Sequence, residues 1–176
     1  MTSAASVSPL PWVLPLASIA AVYRGFRTRP LESVLGLVAL TAAKPVAAHR
    51  LFQQVAFAVL TGNGDQHAKN LGVLATADGE WRASPAYDVP STLPYGDETL
   101  ALSMSGSDRP DSRRKLLAFA AEIGLPAASA TRTLDRLLAR TATPLSEAHL
   151  TTLPFSVPTL RRLSKSLAYR REQLAD

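Results

Sequence analysis

The chain has 176 residues, enough for one domain with a sizeable core, and its 47% hydrophobic and 19% charged content excludes wholesale disorder. Nineteen Lys and Arg against fourteen Asp and Glu give a net charge of +5 and a pI near 10.0, a bias toward anionic partners. With no cysteine, disulfides, thiolate zinc, iron–sulfur clusters and thiol catalysis are excluded, and three widely separated histidines argue against a histidine metal site.

Residues 1–12, rich in Ser, Ala and Pro, read as a flexible leader, and residues 13–176 as one folded unit. Residues 10–22 are apolar, but no Lys or Arg precedes Arg24 and Pro9, Pro11 and Pro15 interrupt the run, so the basic start of a secretory signal is missing. No stretch approaches the roughly 20 uninterrupted apolar residues of a membrane span. The expectation is a cytoplasmic protein without membrane contact.

Residues 13–23 and 31–43 read as short helices around a basic turn at 24–30. From Pro45 onward, Ala48, Leu51, Phe52, Val55, Ala56 and Val59 form the stripe of an amphipathic helix that Gly62 terminates. The period then changes. Residues 71–75 and 81–84 read as strands flanking Asp78-Gly79, a strong hairpin signal, with Pro85 closing the hairpin. Residues 89–98 read as an irregular loop and 99–104 as a further strand. Asp111 or Ser112 can cap a helix that turns Leu116, Leu117, Ala120 and Ile123 inward before Gly124. Pro126 opens another helix through Arg140, and Pro144 and Pro158 suit the first turns of two more. The fold class is therefore α+β, mostly helical, with one small β-hairpin.

Chemistry concentrates in residues 62–70, GNGDQHAKN, a polar loop held between the long helix and the hairpin. With Asp78-Gly79 as a two-residue turn, Asn70 lies opposite Tyr87 and beside Asp88. An Asn carbonyl and an Asp carboxylate side by side suit Mg²⁺, which uses one or two protein oxygens plus substrate phosphates. Asp65 can reach the same space. One Asp as base, an Asn five residues later and a second Asp beyond a hairpin divide the labour of phosphoryl transfer as kinase-like enzymes do.

Each of these residues also has a plainer reading. An isolated Asp with an Asn five residues on usually caps a turn, Asn70 could satisfy its own backbone, and Asp88 could simply precede a turn. A lone loop histidine such as His67 is as often structural as catalytic, and Lys69 can be a solvated charge. Two basic groups, Arg132, Arg136 and Arg140, and Arg161, Arg162, Lys165, Arg170 and Arg171, could bind nucleic acid or an acidic partner, but read more simply as solvated helix faces.

GNGDQHAKN at 62–70, SPAYD at 84–88 and LALSMSG at 100–106 together resemble the C-terminal lobe of HipA-like serine/threonine kinases, toxins of bacterial toxin–antitoxin modules. The G-N-x-D-x-H-x-K-N signature of that family is matched at every fixed position, and P-A-Y-D follows at a suitable distance. The resemblance covers residues 13 to 176 and implies a kinase-like C-lobe whose hairpin carries the catalytic and metal-binding loops. It implies Asp65 as catalytic base and Asn70 and Asp88 as ligands of Mg²⁺ that hold ATP, with His67 and Lys69 in the catalytic loop, Lys69 near the transferred phosphate. Tyr87 and Pro85 would shape the segment presenting Asp88. The implied partners are a protein or small-molecule phospho-acceptor and an antitoxin, with DNA reached only through the antitoxin.

The sequence departs from the resemblance in one large respect. Its nine glycines show neither GxGxxG nor GxxxxGK, and Lys44 falls at a helical junction rather than on a strand. The expectation is a chain carrying the base and metal ligands without the nucleotide-covering lobe, which a separate chain could supply. The alternative is a catalytically incomplete remnant that binds an antitoxin or DNA.

Overall fold

The computed structural model describes residues 30–100 and 112–176. The expected leader at 1–12, the helix at 13–23, the turn at 24–29 and most of the strand at 99–104 lie outside them. The described residues form a helical fold with one two-stranded antiparallel sheet. None of their helices is long and apolar enough to cross a membrane.

Helix α1, Pro30–Leu40, ends three residues before the boundary the sequence suggested. Thr41 turns the chain by donating its hydroxyl to Val38 O (2.8 Å), and the Ala42 amide leaves the helical ladder for Trp81 O (3.1 Å). Helix α2, Lys44–Thr61, is the long amphipathic helix, with its buried residues recurring at helical spacing from Ala47 to Leu60. It is the central element of the core. Phe52 stacks on Phe119 of helix α3, Arg113–Glu122, with ring centroids 6.4 Å apart. Ser112, one of two expected caps, accepts the Lys115 amide at the start of α3. Helix α4, Ala127–Thr141, packs on α2 through Ala130, Leu134 and Leu137.

Strands β1, Val73–Ala75, and β2, Trp81–Ala83, are shorter than expected and paired one residue out of the expected register. Val73 faces Ala83, where a two-residue turn would give Ser84. The Gly79 amide donates to Thr76 O (2.9 Å), the Thr76 amide donates to Glu80 O (2.7 Å), and Gly79 has φ 78°. That is a type I turn followed by a left-handed glycine, a three-residue connection, and Asp78-Gly79 fill its last two positions. Thr99 and Leu100 carry no strand either.

Two short segments and one long one complete the chain. Helix α5, Glu147–Leu150, starts after Ser146, so Pro144 lies in the preceding turn and outside the first helical turn expected for it. Helix α6, Val157–Ala175, does have Pro158 in its first turn. Leu163 and Leu167 of α6 join Leu150 and Leu93 in a second apolar cluster beneath the 89–98 segment, which contains a 3-10 turn at Leu93–Tyr95.

The basic residues of α6 are not all the solvated face that the sequence suggested. Arg170 is 8% exposed and donates to Val59 O near the end of α2 (3.0 Å) and to Glu98 O (2.8 Å). Arg162 donates to Pro94 O, and Arg171 to Leu138 O and Thr141 Oγ1 of α4. Arg161 and Lys165 do stay exposed. Replacing Arg170 with Ala removes two hydrogen bonds from a charged donor, leaving Val59 O with only the 3.4 Å contact of the Gly62 amide and Glu98 O with solvent. Urea denaturation of Arg170→Ala is expected to show a loss of about 2–5 kcal/mol, and Arg170→Lys to recover only part of it, because an ammonium lacks the planar fork.

Candidate active site

The polar loop begins where α2 stops. Gly62 adopts φ 66°, which ends the helix, and a Cβ there would run into the Leu93 side chain. A Cβ at Gly64 would strike Thr92 Oγ1 and the Asp97 carboxylate. Both glycines are thus required by the close approach of the 89–99 segment. Thr92 is the clasp: its amide donates to Gly62 O (2.9 Å), and its hydroxyl oxygen accepts the Gly64 amide (3.0 Å). The hydroxyl proton faces the carbonyls of Gly62 and Asp97. Asp97 in turn accepts the Thr99 hydroxyl (2.6 Å) and amide (3.0 Å), which hold its carboxyl below the usual range.

Inside the loop, Asn63 is fully buried and acts as a bracket. Its Oδ1 accepts the Asp65 amide (3.0 Å) and its Nδ2 donates to Gln66 Oε1 (3.2 Å). The Asp65 carbonyl accepts the His67 amide (2.8 Å) and Asn70 Nδ2 (3.0 Å). The backbone of Asp65 is therefore held at both ends while its carboxylate stays exposed, with His67 Nε2 3.9 Å from Oδ1, outside hydrogen-bond range. His67 Nδ1 is buried without a partner. Lys69 is exposed.

Asn70 closes the loop in a 3-10 turn, Ala68–Asn70. It is 5% exposed, and because Nδ2 is engaged by Asp65 O, its Oδ1 is the atom left for a ligand. The register correction removes the ladder pairing expected between Asn70 and Tyr87, yet the two segments still meet. The Tyr87 hydroxyl donates to Lys69 O at 2.7 Å, and Gln54 of α2 donates to Ser84 O (2.8 Å) and fixes the segment's other end. Asp88 follows Tyr87 with φ 51°, the one positive φ outside glycine among the described residues, and its exposed carboxylate forms no hydrogen bond or ion pair. A left-handed Asp is uncommon and marks a side chain whose direction is imposed by its neighbours.

The donor set is all oxygen: the Asn70 carbonyl and the Asp88 carboxylate, with the Asp65 carboxylate free for another role. No cluster of three or more His, Cys, Asp or Glu able to hold a metal occurs among the described residues. An Asn carbonyl and an Asp carboxylate suit an ion that takes one or two protein oxygens and completes its shell from water or phosphate. Asn63 and Thr92 were given no role in the sequence, and Arg170 was read there as part of a solvated helix face. Asn63 lies inside the signature and could have been singled out as a residue following a left-handed glycine, whereas Thr92 and Arg170 carry no local signal.

The loop can now be set beside known proteins. The profile of the HipA-like C-terminal domain matches residues 15–144. The chain belongs to that family. "Putative kinase Y4dM" of Sinorhizobium fredii is 39% identical over 79 residues, 44% of this chain and 18% of that protein. Among solved structures, a chain from the Shewanella oneidensis toxin–antitoxin complex of HipA, HipB and operator DNA shares the fold, with a TM-score of 0.62 and 23% identity over 80% of this chain. The HipA-like chain described here spans 34% of that relative's length.

The Tyr87–Lys69 contact makes a pH-dependent prediction. Burial and the neighbouring Asp88 charge both raise the Tyr87 pKa above 10.0. A raised pKa means that the neutral phenol is favoured in the folded state, so the contribution is complete below pH 10.0 and is lost as pH climbs through the raised value. Spectrophotometric titration should show a late-ionising component among the four tyrosines, and Tyr87→Phe should remove it.

Proposed function

We propose that this HipA-like domain is the base- and metal-carrying part of a serine/threonine kinase that transfers the ATP γ-phosphoryl group to a hydroxyl. The observation that carries the reading is the division of labour around the loop: the Asp65 peptide is bonded on both sides by Asn63 and Asn70, while the Asp65 carboxylate, Asn70 Oδ1 and the Asp88 carboxylate are left free. In this reading Asp65 orients the acceptor hydroxyl and takes its proton. Asn70 and Asp88 hold Mg²⁺, which would neutralise charge on the nucleotide phosphates when bound. Lys69 faces solvent at the same loop and would contact the transferred phosphate, and His67 would position Asp65. Membership of the family and the kinase designation of the Sinorhizobium relative support the assignment.

The acceptor is a protein or small-molecule hydroxyl. The nucleotide-covering groups are assigned to polypeptide outside these residues, either covalently joined or a separate chain. An antitoxin is the proposed protein partner, since the Shewanella relative was solved as a complex of HipA, HipB and operator DNA. Contact with DNA would then run through the antitoxin.

Calorimetric titration with ATP, with and without Mg²⁺, tests the reading. The expected result is Mg²⁺-dependent binding that raises thermal stability by about 2.7 kcal/mol at a hundredfold excess over Kd. Asp88→Ala should abolish it with the circular dichroism spectrum unchanged. Asp65→Asn should retain binding and lose phosphoryl transfer by about 10²–10⁴-fold. Equal ATP binding by wild type and Asp88→Ala would exclude the metal assignment. Silence of this chain, reversed by adding a nucleotide-covering chain, would support the split arrangement.

A further inference from the structure

A cavity of about 550 Å³ lies between α2, α4 and the segment 84–89, within the usual size range for small-ligand sites. Asn70 reaches its wall, but Asp65, His67, Lys69 and Asp88 do not line it. It is thus a second concavity, with its own chemistry.

That chemistry is cationic. Arg50 from α2 and Arg136 and Arg140 from α4 line the cavity, and no lining residue is acidic. Arg136 and Arg140 stand one helical turn apart on one face of α4, exposed and without any hydrogen bond or ion pair. Arg132, the third member of the stripe, does not line the cavity, so the structure splits a group that the sequence presents as uniform. The Arg50 guanidinium reaches only Ala83 O, at 3.5 Å.

The two helices are tied together at this site. Thr133 Oγ1 of α4 lies 2.8 Å from His49 Nε2 of α2 and 2.9 Å from Ser129 O, and both contacts are hydrogen bonds when the imidazole donates to the hydroxyl oxygen. Phe57 and Leu137 supply apolar wall.

Two further atoms point to a missing partner. Ser84 is 4% exposed, and its Oγ is buried without a hydrogen bond. Gln54 Oε1 is buried and unpaired as well, although Gln54 Nε2 is engaged by Ser84 O. Both residues line the cavity. Buried polar atoms are seldom left unpaired, and this cavity is also lined by unpaired guanidiniums, whose planar forks match the oxygens of a phosphate; the Ser84 hydroxyl can donate to the same oxygens, while Gln54 Oε1 can only accept.

We propose that this cavity binds a phosphate monoester on a small, partly apolar body, with Arg136 and Arg140 on the phosphate oxygens, Ser84 Oγ donating to it, and the body against Phe57 and Leu137. The ester could be a free metabolite or a phosphorylated side chain. The cavity shares Asn70 with the proposed magnesium site but not Asp65 or Asp88, and its test needs neither Mg²⁺ nor ATP.

Calorimetry on the 176-residue chain with phenyl phosphate and with a blocked phosphoserine tripeptide is the test. Saturable binding is expected, weakened about tenfold or more in Arg136→Gln/Arg140→Gln and about fivefold in Ser84→Ala. The charge-matched control Arg161→Gln/Lys165→Gln, on the exposed side of α6, should bind as wild type does. Tighter binding of the tripeptide would identify a phosphorylated side chain as the source, and tighter binding of phenyl phosphate a metabolite. The proposal is overturned if neither ester saturates, or if the α6 control loses as much affinity as the α4 variant. It is equally overturned if duplex DNA binds through Arg132, Arg136 and Arg140 while the esters do not.

Discussion

The buried guanidinium of Arg170 is the contact on which the geometry of the loop depends. A helix leaves its last carbonyls without intrahelical donors, and a site built at a helix end inherits that deficit. Arg170 meets part of it at Val59 O, three residues before the terminating Gly62, and carries the same planar group across to Glu98 O. The end of α2 and the 92–99 segment are therefore referenced to one rigid fork on α6. Ser166 and Arg162 repeat the attachment one and two turns earlier, at the Glu98 carboxylate and Pro94 O. The result is a shelf against which Gly62 and Gly64 are pressed so closely that neither position has room for a Cβ.

From that shelf follows the character of the loop. Between Gly62 and Asn70, carbonyls and amides are consumed locally by Asn63, Thr92 and Asn70, leaving charged side chains as the free groups. A loop whose backbone is pinned on both sides of a carboxylate can hold that carboxylate in water without the desolvation penalty of burying it. Asp65 illustrates this: its peptide is bonded on both sides, while its carboxylate remains exposed. Asp88 reaches a comparable state by another route, a left-handed backbone beside the Tyr87–Lys69 hydrogen bond.

How much of this could be read from the sequence depended on how local each cause was. Helix α2 was legible because its apolar stripe repeats over many residues and one glycine ends it. The loop was legible because its polar residues are contiguous and match a family signature throughout. The hairpin was legible as a hairpin but not in register: Asp78-Gly79 serves a two-residue or a three-residue turn equally well, and Thr76, which bonds Glu80 in both directions, decides between them. One residue of register altered how Asn70 meets Tyr87, from ladder partners to segments joined through a side chain. The basic residues of α6 were least legible. Arg161 and Arg170 look alike in sequence, and only packing against a segment some seventy residues away separates a solvated cation from a buried clasp.

The same lesson applies to α4, where identical spacing conceals different surroundings. Arg132, Arg136 and Arg140 form one stripe, but only the last two overlook the space between α2 and α4. What sets that space apart from an ordinary groove is the state of its polar atoms. In the 62–70 loop, His67 Nδ1 apart, the buried polar side-chain atoms find partners, whereas around the cavity Ser84 Oγ and Gln54 Oε1 find none and two guanidiniums stand unpaired. Leaving two buried polar atoms and two guanidiniums unpaired around one cavity gains the fold nothing in stability. Asn70 belongs to both places, bonded to the Asp65 peptide on one side and forming cavity wall on the other. The two sites are thus built on one residue, and the arrangement of its amide is set by the loop alone.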